Sequence, residues 1–116
     1  MKILLVEKES IPVIYLQGEL DIFSAIEVKK YLTKKIFEEN YSDLVLNLEK
    51  VPYIDSSGIG ILISLFVKNK NNRHIRICSF PSEILALISS TGLISYLNID
   101  KTEEKSIEII LSQYRK

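Results

Sequence analysis

The chain has 116 residues, of which 47% are hydrophobic and 26% are charged, and its formal net charge at pH 7 is zero. This length and composition predict one globular domain over residues 1–116, large enough to bury a core without disulfide staples. The balanced charge excludes a global electrostatic attraction to nucleic acid or to an anionic membrane surface.

The cellular compartment is indicated by a single cysteine and by short apolar runs. Cys78 has no second cysteine with which to pair, and this fits a reducing cytoplasm. The apolar run at 61–67 is far shorter than the ~20 residues that span a bilayer. Glu7 breaks the N-terminal apolar run below the length of a signal-peptide core. We therefore expect a soluble, cytoplasmic protein in which Cys78 is a small buried residue.

Two strands and a helix are predicted for the N-terminal part of the chain. The strands cover 3–6 and 11–16 and form an antiparallel hairpin with a turn at 8–10. Pro12 favours an edge position for the second strand. The helix is predicted to start at Ser24, where Glu27 completes a capping box, and to end near Asn40. Its inner face is predicted to consist of Ala25, Val28, Leu32 and Ile36.

Strands and helices alternate along the rest of the chain. The predicted elements are a strand at 43–48 that is buried on both faces, a helix at 57–70, a turn at Asn71-Asn72, a strand at 75–79, a helix that begins at 81–83, a strand at 96–99 and a helix at 103–114. The helix that begins at 81–83 is predicted to end at Gly92 and to face inward with Ile84, Leu85, Leu87 and Ile88. This order predicts an α/β fold with a mostly parallel central sheet of about five strands, an N-terminal antiparallel strand and about four helices.

The run Asp55-Ser56-Ser57-Gly58-Ile59-Gly60 separates the buried strand from the second helix. Aspartate and serine are residue types that cap helix N-termini, and glycine lets other atoms come close to the backbone. One cap satisfies the geometry, so either Asp55 or Ser57 can hold the helix end while another hydroxyl stays spare. The run is therefore either a helix cap or a site of chemistry.

Enzyme templates fit this run poorly. A nucleophile elbow needs a glycine two residues before its serine, and the single histidine, His74, belongs to a later strand. Gly58 and Gly60 have no third glycine at dinucleotide-binding spacing and no Walker lysine after them. No cluster of histidine and cysteine suits zinc. We therefore expect no catalytic residue, no metal site and no cofactor.

Three blocks of the sequence resemble STAS domains, in particular the bacterial anti-sigma factor antagonists, and together they extend over nearly the whole chain. The blocks are Gly18-Glu19-Leu20-Asp21 with Ala25, then 44–48 followed by Val51, Tyr53, Ile54 and the run 55–60, and finally Thr91-Gly92-Leu93. The turn at Asn71-Asn72-Arg73 departs from the paired glycines that the family often has, a mild difference because asparagine tolerates positive φ.

The resemblance implies a STAS fold and a partner switch without catalysis by the chain itself. The unphosphorylated protein would bind an anti-sigma factor that is also a serine kinase. That kinase would phosphorylate Ser56, the first serine after the aspartate, and a phosphatase would reset the protein. Expected partner contacts come from Asp21, Ile22, Phe23, Ser24, Asp55, Ser56, Ser57, Gly58, Ile59 and Leu62.

Several points stay open at the level of sequence. The apolar pair Ile22-Phe23 either anchors a partner or packs under its own loop. A phosphate on Ser56 is expected to be stabilised by the helix N-terminus, yet to make a surface with Asp55 and Asp21 more anionic. Two other functions remain: a STAS accessory subunit that binds a transporter ATPase, and a sensor module for a small ligand or nucleotide.

Overall fold

The computed structural model describes residues 1–68 and 74–114. The predicted turn at Asn71-Asn72, the departure at Arg73 and the predicted end of the second helix lie outside the described residues. The elements are β1 (Lys2–Lys8), β2 (Ile11–Gln17), α1 (Ile22–Thr33), β3 (Asp43–Lys50), α2 (Ser56–Lys68), β4 (His74–Cys78), α3 (Ser82–Ser89), β5 (Ile99–Asp100) and α4 (Glu103–Ser112). A π-helical turn at Lys34–Glu38 extends α1, and a 3₁₀ turn at Leu93–Tyr96 precedes β5.

The strands form a five-stranded sheet in the order β1-β2-β3-β4-β5. β1 and β2 are antiparallel and the other pairs are parallel, which confirms the predicted α/β fold. The predicted edge position of β2 is wrong, because β2 lies between β1 and β3. Pro12 is tolerated there because pairing with β3 begins only at Val13, so the missing N–H removes no bond from the parallel ladder.

Helices cover both faces of the sheet. The larger core cluster joins α1, α2 and α3 to one face, and it includes Leu44, Leu46 and Leu48 of β3. The smaller cluster joins Ile107 and Ile110 of α4 to the opposite face. Because successive strand residues alternate between faces, β3 is buried on both sides as predicted. The sheet therefore positions its loops between two layers of helices.

The first helix begins earlier than predicted. Asp21, rather than Ser24, is the N-cap of α1, and Ser24 takes the reciprocal position of the capping box. The predicted inner face of the helix is confirmed, since Val28 is fully buried and its companions are at most 3% exposed. Asn40 has the expected left-handed conformation, with φ of 56°.

Two predictions for the C-terminal part are wrong. Leu87 does not face inward but is 68% exposed, because adjacent helical residues point about 100° apart and Ile88 takes the buried position. Tyr96 is not in a strand. Gly92, at φ of 79°, opens the 3₁₀ turn that contains Tyr96 and delays β5 to Ile99.

Cys78 is fully buried in the smaller core cluster, and burial raises the pKa of its thiol to about 12. Since the thiolate is the reactive form, a raised pKa leaves little of it at pH 8. We expect Ellman's reagent to label the folded protein about a thousandfold more slowly than the unfolded chain. Absorbance traces with and without guanidinium chloride measure the ratio. Equally fast labelling of both states would contradict the burial of Cys78.

Candidate functional site

Two helices begin side by side at the carboxyl end of the sheet. The amide N–H of Leu20 donates to the carbonyl of Tyr53 at 3.0 Å, and that of Asp55 donates to the carbonyl of Leu20 at 3.1 Å. These bonds form an isolated parallel bridge between Leu20 and Ile54, both of which are buried. The next residue on each side, Asp21 or Asp55, starts a helix. The bridge thus brings the first and second sequence blocks together.

Each helix start is capped by its own aspartate. Asp21 Oδ1 accepts from the amides of Ser24 and Phe23, both at 2.9 Å, and these bonds hold the pKa of the Asp21 carboxyl below its ordinary value. Asp55 Oδ1 accepts from the amides of Ser57 at 2.9 Å and Gly58 at 3.1 Å. Asp55 is therefore the cap of α2, and the alternative cap, Ser57, contributes its amide.

Ser56 is the first residue of α2 and is exposed. Within residues 1–68 and 74–114, its hydroxyl makes no hydrogen bond to another group. Of the other two predicted serines, Ser57 is half-buried, and Ser24 uses its hydroxyl to donate to the carbonyl of Glu19 at 2.7 Å and to accept from the amide of Asp21 at 2.9 Å. Ser24 therefore stabilises the start of α1, whereas the hydroxyl of Ser56 is available to another molecule.

Several apolar side chains are exposed on or next to the segments that start the two helices. Ile22 is 57% exposed and Phe23 is 81% exposed, so the pair does not pack under its loop. Ile26 and Tyr53, at 55% and 50%, are also exposed, and sequence reasoning did not assign them to the site. Ile26 could have been noticed because it is an apolar residue off the predicted inner face of α1. We call Ile22, Phe23, Ile26 and Tyr53 the apolar rim.

Three residues expected to contact a partner lie in the core instead. Gly58 is buried, Ile59 is 8% exposed and Leu62 is fully buried. Because α2 places these residues against the sheet and the bridge, they have a packing role. This corrects the prediction that they contact a partner at the surface. A Cβ on Gly58 would lie 2.7 Å from Ile54 Cγ2 and 2.8 Å from the carbonyl oxygen of Leu20. Gly58 therefore permits the close approach of α2 to the bridge.

Other polar groups lie apart from Ser56. His74 Nδ1 is 2.8 Å from Asp43 Oδ1, at the amino ends of β4 and β3, whereas Ser56 follows the carboxyl end of β3. In the part of the chain that the structure describes, no group of three or more acidic, histidine or cysteine side chains could hold a metal ion. None of the helices within those residues is both long and apolar enough to span a membrane.

Comparison with known proteins gives a consistent result. The model of the STAS domain family matches residues 2–106. The anti-sigma-B factor antagonist of Staphylococcus aureus is 31% identical over 88 residues, which are 75% of this chain and 81% of that protein. An anti-sigma factor antagonist from Mycobacterium paratuberculosis has a similar structure, with a TM-score of 0.79 and 19% identity over 93% of this chain and 92% of that one.

SpoIIAA of Bacillus, another anti-sigma factor antagonist, is also similar in structure. Its unphosphorylated form has a TM-score of 0.70 and 22% identity, over 94% of this chain and 97% of that one. Its phosphorylated form has a TM-score of 0.66 and 20% identity, over 94% and 99%. At these identities the structures show the shared fold, while the family model and the staphylococcal relative show the family. The chain belongs to the STAS domain family.

Proposed function

We propose that this protein is an anti-sigma factor antagonist that binds an anti-sigma factor with serine kinase activity and is released by phosphorylation of Ser56. The observation that carries the proposal is the exposed, unbonded hydroxyl of Ser56 at the start of α2, which begins beside the aspartate-capped start of α1. The names of the staphylococcal relative and of SpoIIAA support it, as does the existence of SpoIIAA in a phosphorylated form.

The binding surface consists of the Ser56 hydroxyl and the apolar rim. Exposed aromatic and aliphatic side chains beside a polar group are typical of the centre of a protein interface. Phe23, at 81% exposure, is the largest apolar area that a partner could cover here. Asp21 and Asp55 stay half-buried and keep the two helix starts in place.

Phosphorylation would change the charge of this surface. The γ-phosphoryl group of ATP would pass to Ser56 Oγ, ADP would leave, and a base of the kinase would take the hydroxyl proton. A phosphoserine carries about −1.5 to −2 charges at pH 7. The amides of Ser57 and Gly58, which would otherwise attract it, already bind the Asp55 carboxylate. The phosphate would therefore add to existing negative charge, and local stabilisation by those amides is not expected.

The first test identifies the partner and the modified residue. The wild-type protein is used to recover binding proteins from an extract of its source cells, and a kinase-type anti-sigma factor found in this way, the cognate kinase, is purified. With ATP, we expect it to transfer one phosphate to the wild-type protein and none to Ser56→Ala. Intact-mass measurement and peptide mapping locate the phosphate.

Ser90→Ala is the matched control, since Ser90 is an exposed serine at the end of α3. It should accept phosphate at the wild-type rate. A phosphate found only at Ser57 or elsewhere would show that the assigned site is wrong. Recovery of a transporter ATPase instead of a kinase, with binding unchanged in Ser56→Ala, would favour the accessory-subunit function.

A further inference from the structure

Gly60 is a glycine that the fold of this chain does not require. It is exposed within α2, and among the described residues a Cβ built on it would meet no atom within 4 Å apart from its chain neighbours and its own helix backbone. Its φ is not in the left-handed region, unlike that of Gly18 or Gly92. A glycine inside a helix is less stable than an alanine at the same position. Gly60 therefore lowers the stability of the protein, although neither close packing nor backbone conformation within the chain requires a glycine at this position.

The position of Gly60 relates it to Ser56. Residues four apart lie on the same side of a helix, with about 6 Å between their Cβ atoms, and both Ser56 and Gly60 are exposed. The missing side chain leaves the backbone of α2 bare one turn below the Ser56 hydroxyl. Another chain can approach the helix axis more closely here than at a position with a side chain.

The outer side of α2 lacks the charges usual for a solvent-facing helix. No charged residue occurs from Ser56 to Val67, although Val67 is 39% exposed. On α1, by contrast, the exposed positions include Glu27, Lys29 and Lys30. Charged residues normally occupy the side of a helix that faces water. An uncharged outer face that continues from Ser56 therefore suits contact with a protein surface.

We propose that Gly60 is a clearance residue, against which the main chain of the kinase-type anti-sigma factor packs when it engages Ser56. This inference rests on the proposed function and assigns a backbone segment of the partner to the turn below Ser56. A methyl group at residue 60 would separate the two backbones. Misplacement of reacting groups by ~1 Å can slow a transfer by about 100-fold, so a small side chain suffices to impair phosphorylation.

The test compares wild type, Gly60→Ala and Gly60→Leu with the purified cognate kinase. We expect Gly60→Ala to raise Tm by about 2–4 °C, because alanine favours the helix. The same variant should lower kcat/KM for phosphorylation of Ser56 by tenfold or more, and affinity for the kinase should fall as well. Gly60→Leu should lower both further, because its side chain is larger.

Ser112→Ala is the control, since Ser112 is an exposed small residue on α4, across the sheet from α2. It should change kcat/KM less than twofold. Wild-type binding and phosphorylation by a more stable Gly60→Ala would overturn the clearance role and leave the proposed function intact. Failure of the wild-type protein to bind any anti-sigma factor or to accept phosphate would overturn the proposed function, and the clearance role with it.

Discussion

Phosphorylation of Ser56 is expected to weaken binding to the anti-sigma factor by about 100-fold or more, which corresponds to at least about 2.7 kcal/mol. The phosphate would lie next to Asp55, and the bridge between Leu20 and Ile54 brings Asp21 to the same edge. A partner surface that fits the neutral hydroxyl would have to take this concentrated negative charge out of water, and burying an unpaired charge costs several kcal/mol. Calorimetric titration of both forms with the anti-sigma factor measures the difference.

Three variants separate charge from size in this effect. Ser56→Asp adds one charge and should weaken binding by less than the phosphate does, while Ser56→Asn adds similar bulk without charge and should weaken it less still. Ser90→Asp, on the exposed serine that directly follows α3, should leave affinity unchanged. Equal affinity of the phosphorylated and unmodified forms would rule out a charge switch at Ser56.

The sequence alone predicted the features that depend on local pattern. Alternating apolar strands and helices predicted the parallel sheet, because a doubly buried strand such as β3 is nearly continuous in apolar residues. The run from Asp55 to Gly58 predicted a helix start because capping residue types are specific to it. These signals need only the residues within the element, so they can be read without knowing what packs against it.

The features that depend on distant residues could not be predicted in this way. The bridge of Leu20 to Ile54 joins two loops far apart in sequence, and the residue that follows Leu20 is the cap of α1. Asp21 was not identified as a cap because Ile22 and Phe23, both exposed, do not look like the first turn of an amphipathic helix. For the same reason, nothing local distinguished the buried Gly58 from the exposed Gly60. Only the tertiary contacts of α2 distinguish the two, because Gly58 faces the bridge and Gly60 faces away from it.

Gly58→Ala is expected to destabilise the protein, in contrast to Gly60→Ala. The added methyl group gains about 0.5–1 kcal/mol of helix propensity, but overpacking of a tight site typically costs about 1–3 kcal/mol and occasionally more. The overpacking cost exceeds the propensity gain here because the added methyl group would lie 2.8 Å from the carbonyl oxygen of Leu20. That oxygen also accepts a hydrogen bond from the amide of Asp55, so it cannot move away freely. We expect Tm to fall by up to about 10 °C, as measured by differential scanning calorimetry.

The pair of glycine variants makes this result interpretable, since both add the same methyl group to the same helix. If steric contact with the bridge is the cause, Gly58→Ala lowers Tm while Gly60→Ala raises it. A rise in both would mean that α2 shifts away from the bridge at little cost. Because such a shift would also move Ser56 relative to the apolar rim, we expect Gly58→Ala to weaken binding to the anti-sigma factor even at temperatures where it remains folded.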